Sequence, residues 1–387
     1  MQTTSRVYLD YAATTPVDES VLAAMLPYFS GTFGNPSSIH RYGQQAEAAL
    51  EEARSSTAAD LNAQPEEVIF TACGTESDNL ALRGVALARR KISGANHLLI
   101  SPVEHHAVSV TAEQLAHEFG FDLEYLPVDA YGRVLPEELA RRIRPETALV
   151  SVIYANNEIG TINPVAELGQ ICRKQGVPFH SDAVQAAAHL KMDVAADAVD
   201  LLSIGAHKFY GPKGVGALYV RKGTPMLPVE TGGKQEFGLR AGTQNIPYIV
   251  GLASALHLAQ TLLAEAGPKY RGMRDYMIGR VLESVPGAQL TGHPSQRLPN
   301  HASFVFDGAD GNALLMLLDM AGFACSSGSA CKVGSPTPSE VLLALGLVPE
   351  VALGSLRVTL GKGNTPDQIE QFLGVLPGLV QQARRKG

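Results

Sequence analysis

Cysteine is scarce. Four occur in 387 residues, at Cys73, Cys172, Cys325 and Cys331, and no two form a C-x-x-C pair. So sparse and irregular a set makes a disulfide framework unexpected, and the spacing fits no common zinc site. The expectation is reduced thiols in a cytoplasmic protein, one of them open to reaction. Charge is limited too. Charged residues make up 18% of the chain, and 38 acidic against 31 basic side chains leave a formal net charge of −7. That balance argues against direct nucleic-acid binding or attachment to an anionic membrane as the main task. No run of about 18 apolar residues occurs. Met1 to Asp10 also lacks the basic-then-apolar order of a secretory signal. No membrane span is expected.

What is present is the pattern of a packed α/β protein. Hydrophobic residues make up 45%, and the length suits a large domain plus a smaller one. Apolar runs at Val68–Thr71, Leu98–Ser101, Leu123–Pro127, Ala148–Tyr154, Val177–Asp182, Leu201–Ile204 and Val215–Val220 show little polar alternation, as strands covered on both faces should. Helical stretches at Ser77–Lys91, Ala107–Phe119, Pro136–Arg142 and Val165–Lys174 lie between them. This order predicts a mostly parallel seven-stranded sheet. Beyond Gly251 the pattern changes. Two helices, Leu252 to Glu265 and Tyr270 to Val285, are separated by a possible hinge at Gly267-Pro268. Strands near Ser303–Phe306 and Leu356–Leu360 and a closing helix from Pro366 follow. The division expected is a large domain over 16–259 and a small one made of 1–15 and 260–387.

Four constellations carry chemistry. Gly74-Thr75-Glu76-Ser77-Asp78-Asn79 follows a strand and opens a helix, whose free N–H groups and partial positive charge suit a phosphate; a capped turn is the plainer reading. The hexamer lacks both nucleotide fingerprints. In Phe179-His180-Ser181-Asp182-Ala183-Val184-Gln185, period two puts His180 and Asp182 on one strand face. The pair could bind metal, but no third ligand is suggested and H-E-x-x-H is absent. Asp182 could instead pair with a protonated ring nitrogen, or simply cap a loop. Lys208, in Gly205-Ala206-His207-Lys208, lies just past an apolar strand among small residues. Desolvation there would lower its pKa and free the amine for a Schiff base, although a strand-end lysine is more often solvated. Finally, Cys331 sits within a Ser-, Gly- and Pro-rich stretch that predicts an exposed loop, with Lys332 beside it to favour a thiolate. Cys325 is expected to end a buried strand, and Cys73 and Cys172 to lie in the core.

In this order, the segments resemble the NifS/IscS-type cysteine desulfurases, within the fold-type-I, class-V aminotransferase-like enzymes that use pyridoxal phosphate (PLP). The similarity runs from Tyr8-Leu9-Asp10-Tyr11-Ala12-Ala13-Thr14-Thr15-Pro16 through Phe33-Gly34-Asn35-Pro36 and the glycine hexamer. It continues through Glu104-His105-His106-Ala107-Val108, Ala155-Asn156-Asn157-Glu158, His180 to Gln185 and Ala206-His207-Lys208, and ends at Ser326-Ser327-Gly328-Ser329-Ala330-Cys331. The resemblance implies that Lys208 carries PLP. Gly74 and Thr75 would hold its phosphate together with His207, Gly205 would also bind the cofactor, and Thr243 would reach the phosphate of a neighbouring subunit, hence a homodimer. His105 would stack on the ring and move protons, Asp182 would pair with the ring nitrogen, and Asn157 and Gln185 would bond the ring substituents. Arg357, helped by Asn35, would grip the carboxylate of L-cysteine; without the family it would read as a sheet-edge surface charge. Sulfur would pass to Cys331 as a persulfide, leaving alanine, and then to a sulfur-acceptor protein such as an iron–sulfur scaffold.

Two positions depart from that family pattern. Phe237 stands in Gln235-Glu236-Phe237-Gly238 where an arginine is usual, and Lys332-Val333 follows Cys331 where Thr-Ser is common. Both bear on loop anchoring and partner choice. A selenocysteine lyase or a class-V aminotransferase is the alternative activity.

Overall fold

The computed structural model describes residues 6–327 and 337–384. Its strands are, in chain order, β1 (Val7–Tyr8), β2 (Val68–Thr71), β3 (His97–Ile100), β4 (Asp122–Tyr125), β5 (Thr147–Ser151), β6 (Phe179–Asp182), β7 (Leu201–Gly205), β8 (Gly216–Val220), β9 (Ala288–Leu290), β10 (His301–Phe306), β11 (Phe323–Ala324) and β12 (Ser355–Thr359). The seven strands expected from apolar runs form one sheet, ordered β2-β8-β7-β6-β5-β3-β4. β8 alone runs antiparallel to its neighbours, and the rest of the sheet is parallel. The lack of alternation has its cause here: every residue of β2, β3, β5, β6, β7 and β8 is buried, and only the edge strand β4 faces solvent.

Helices cover both faces. On one side Leu50 and Leu61 of the helix Arg41–Leu61 pack with Leu252 and Leu256 against Phe179 and Leu202. On the other, Leu82 and Val85 of Gly74–Ser93 and Val108 and Leu115 of His106–Phe119 pack on Ile69 and Leu98. Each large side chain so buried contributes about 1.5–3 kcal/mol, so truncating Phe179 alone costs roughly 3–5 kcal/mol. A separate apolar cluster joins Val7, Leu9, Tyr270, Met277, Phe304, Leu356 and Phe372 around the three-stranded sheet β12-β10-β9.

The hinge expected at Gly267-Pro268 is not a break. One helix of 39 residues, Ile246–Ser284, runs through it. Proline removes a single backbone donor, while the helix is held in one core by Leu252 and Leu256 and in the other by Tyr270 and Met277. This helix is long and apolar enough, by composition, to cross a membrane, yet 44% of its most apolar stretch is buried inside the protein.

Candidate active site

The strand order puts the chemistry in one place. In a parallel sheet the carboxyl ends of the strands share an edge, and ligands bind there where the order reverses. Gly74 follows β2, His105 follows β3, Asn157 follows β5, Asp182 ends β6 and Lys208 follows β7. All five line a single cavity of about 260 Å³, together with Thr75, Gln185, His207 and Arg357, close to the lower end of the small-molecule range.

Lys208 is held at the cavity wall by its ammonium, which donates to the carbonyls of Ala12 (2.7 Å) and Ala13 (2.8 Å). Burial and the nearby Arg357 guanidinium push its pKa down to about 8, while Asp182 and Asp10 act the other way. At neutral pH an appreciable fraction of the amine is therefore unprotonated and nucleophilic.

Asp182 is fully enclosed, and burial, with Asp78 beside it, raises its pKa to about 7. One oxygen accepts from the Val184 N–H at 2.8 Å. Asp78, on the helix that begins at Gly74, is likewise pushed up to about 7 by burial, and one of its oxygens is buried without a hydrogen-bond partner. Glu104 lies close by and is raised by burial and by Asp182. The site thus gathers three buried carboxyl groups that favour a nearby cation.

The opposite end suits an anion. Cys73 occupies the cap position of Gly74–Ser93 and gives no side-chain capping bond, so the first N–H groups of that helix are available. A Cβ at Gly74 would stand 2.6 Å from Cγ2 of Val184, too close for any larger residue without displacing that side chain, so glycine keeps the start of the helix uncrowded. His207, its Nδ1 3.1 Å from the Thr14 hydroxyl, is driven down to about 4 by burial and Lys208, so it is a neutral donor or acceptor. An acid pocket at one end and an anion cradle at the other match the pyridinium and phosphate of PLP.

His105 stands at the mouth. Its Nδ1 accepts from the Ala107 N–H at 3.1 Å and so caps the helix His106–Phe119. That bond leaves Nε2 as the atom at which His105 can carry or release a proton. Burial of the ring lowers its pKa. Gln185 donates to the Ala12 carbonyl, steadying one of the acceptors of Lys208.

Some expectations need correction. Arg357 lies on the edge strand β12, but it is no surface charge; it is 7% exposed and turned into the site. Its Nη2 donates to Asp10 at 2.8 Å and its Nη1 to the Asn157 carbonyl at 2.9 Å. Asn35 is exposed and caps its own turn by accepting from the Ser37 N–H; it is not part of this cavity, and neither is the exposed Thr243. Cys73 lines the cavity instead of the core, whereas Cys172 is buried among apolar side chains. Cys325 follows β11 with its thiol pushed up by burial. His180 does not pair with Asp182 as metal ligands would; it bonds the Ser151 and Ser203 hydroxyls. Among the described residues, the groups that could share a cation are Asp78, His105 and Asp182, whose ligand atoms lie within 4.8 Å of one another.

Cys331 and Lys332 lie outside the described residues. Ser327 and Thr337, the described residues bordering that segment, both line a cleft of about 840 Å³ that adjoins the cavity through His105, Asn157 and Arg357.

The departure at Phe237 has a structural counterpart. Glu236 and Phe237 both adopt positive φ, 45° and 56°. The buried Arg54 guanidinium holds Glu236 through both terminal nitrogens (2.8 and 3.0 Å) and lies 5.1 Å from the Phe237 ring. An arginine at 237 would set a second cation against Arg54.

Residues 7–372 match the sequence model of the family described as aminotransferase class-V. Over 378 residues, 98% of this chain and 93% of the relative, the sequence is 46% identical to a Methanosarcina thermophila protein named cysteine desulfurase IscS. Among solved structures, one titled NifS-like protein superposes with a TM-score of 0.90 at 37% identity, covering 97% of this chain and 100% of that one. Another, titled SspA in complex with cysteine, gives a TM-score of 0.79 at 35% identity, covering 91% and 98%.

Proposed function

The chain belongs to the class-V aminotransferase family and, within it, to the cysteine desulfurases, and from that premise we propose that the cavity around Lys208 and Asp182 holds PLP and removes sulfur from L-cysteine. The observation that carries this reading is the convergence of a depressed lysine, a buried carboxyl pocket and an uncapped helix N-terminus on one cavity.

Lys208 would hold the cofactor covalently, Asp182 would keep its ring nitrogen protonated, and Gly74, Thr75, Gly205 and His207 would hold its phosphate. When bound, PLP supplies an electron-accepting pyridinium conjugated to the substrate α-carbon. Arg357 orients L-cysteine by its carboxylate, as a guanidinium fork suits. Lys208 Nζ, once the substrate amine has taken its place, would be the free amine that takes the α-proton. His105 exchanges a proton at Nε2. The Cys331 thiolate attacks the substrate sulfur; the Cβ–S bond breaks, a proton replaces sulfur on carbon, and the products are L-alanine and a Cys331 persulfide. Ser327 and Thr337 on the adjoining cleft support this role for the intervening cysteine.

The acceptor proposed for that sulfur is a scaffold protein of iron–sulfur assembly. A homodimer is proposed because Thr243 is exposed away from its own cavity, and because Leu22, Leu26, Phe29, Phe33 and Phe237 are exposed on the same chain. The test is to incubate the PLP-loaded protein with L-cysteine and a reductant and to assay alanine and sulfide together. Equal amounts are expected, with Cys331→Ser abolishing sulfide but not cofactor binding. A keto acid in place of alanine would establish transamination instead. Turnover of selenocysteine without cysteine would establish the lyase.

A further inference from the structure

Arg357 already has a carboxylate. The N-terminal chain is threaded between two strands: Leu9 donates to the carbonyl of Ala324 in β11, and Thr359 of β12 donates to the Leu9 carbonyl. Asp10 is thereby fixed beside Thr359, two residues from Arg357. Its Oδ1 takes Nη2 of the guanidinium at 2.8 Å, with side-chain exposures of only 16% and 8% for the two partners. Nη1 is committed to the Asn157 carbonyl, which also contacts His301 Nε2 at 3.1 Å. The Nε–H is buried without any partner. The resting pose therefore compensates the charge of Arg357 internally, with two of its five N–H donors paired and the Nε–H buried without a partner.

A substrate carboxylate arriving at Arg357 meets a guanidinium that is already paired with Asp10. We propose that Asp10 sets how tightly the desulfurase holds amino-acid carboxylates: it is an internal carboxylate that competes with the α-carboxylates of substrate and product for Arg357. The inference rests on the reading of Arg357 as the substrate-carboxylate group. Asp10 lowers affinity for L-cysteine and L-alanine alike, so product is not retained by the cation that orients the substrate. Such an effect is uniform binding, which moves KM without a matching change in kcat. A residue that only braced Arg357 would act with the opposite sign, because losing it would weaken carboxylate binding.

The sign decides the matter, measured by calorimetric titration of the PLP-loaded enzyme with L-alanine and with cysteamine, which has the amine and thiol of cysteine but no carboxylate. Asp10→Asn keeps an oxygen that can accept from Nη2 and removes the charge. Alanine should bind roughly five- to tenfold more tightly, in line with one charge acting through a partly screened medium. KM for cysteine should fall by a similar factor, and cysteamine binding should not change. Asp10→Glu, which restores the charge, should behave like the wild type, and it separates lost charge from damaged folding. Weaker or unchanged alanine binding in Asp10→Asn, with binding abolished in Arg357→Met, would overturn the role of Asp10 and leave that of Arg357 standing. Normal alanine binding in Arg357→Met would remove the reading of Arg357 itself, and the proposal with it.

Discussion

Replacing Lys208 by methionine should make the cofactor-free protein more stable at neutral pH, although it destroys the enzyme. The pKa of Lys208 falls from 10.5 to about 8 in the fold, and one pKa unit corresponds to about 1.4 kcal/mol. Keeping this lysine charged in place therefore costs the folded state about 3 kcal/mol below the folded pKa. Methionine fills similar space without the charge. It also loses the two hydrogen bonds from Nζ to the Ala12 carbonyl, which keeps the Gln185 amide, and to the Ala13 carbonyl, at about 1 kcal/mol each. The net gain at pH 7 is then about 1 kcal/mol. The sign with pH follows from proton counting. Between pH 8 and 10.5 the unfolded chain binds more protons than the folded one, so wild-type stability rises with pH through that window. The methionine variant lacks this rise, and its advantage should shrink and reverse by about pH 10. Urea unfolding of both cofactor-free proteins at pH 7, 8, 9 and 10, taken as a difference so that shared titrations cancel, reads this directly. A difference that stays flat or grows in favour of the variant as pH rises would refute the claim that Lys208 is held with a depressed pKa.

Arg54 and Glu236 form a buried pair at 2.8 Å, and Glu236 also accepts from the Phe70 N–H. Arg54→Met should lower stability by roughly 3–5 kcal/mol by stranding the carboxylate, seen as a lower urea midpoint; a loss under 1 kcal/mol would contradict the pairing. Asp78→Asn should act on pH dependence. Asp78 helps to raise Asp182, and in the proposed mechanism Asp182 is ionised to keep the ring nitrogen protonated, so activity should fall as pH drops through its pKa. Removing the Asp78 charge lowers that pKa, and the acid limb of kcat/KM should move to lower pH. A shift to higher pH would rule out repulsion between the two carboxyl groups.

The large sheet was legible because its strands are buried on both faces and carry unbroken apolar runs; Val68–Thr71 and Phe179–Asp182 needed little more than composition and flanking signals. Most of the site was legible because it falls where those strands end. What escaped notice came from contacts distant in sequence or from backbone atoms. The Ala12 and Ala13 carbonyls at Lys208 have no side-chain signature, and Asp10 meets Arg357 across 347 residues. Asp78 could have been found: it stands four residues after Gly74, on the same helix face, inside a motif already singled out. Cys73 too stood in plain view as the residue before that helix. The helix Arg41–Leu61 was missed because it is rich in small and charged residues and packs its alanines instead of an apolar stripe. Gly267-Pro268 was misread because a proline breaks a helix only when packing on either side does not hold it.

The central claim is that Lys208 carries the cofactor. The direct measurement is to load the protein with PLP, reduce it with borohydride so that any lysine bearing the cofactor is marked permanently, digest it and locate the mark by mass spectrometry. One modified site is expected, at Lys208, with full occupancy and loss of activity. A mark at Lys213 or elsewhere, or an active enzyme with Lys208 unmodified, would contradict it.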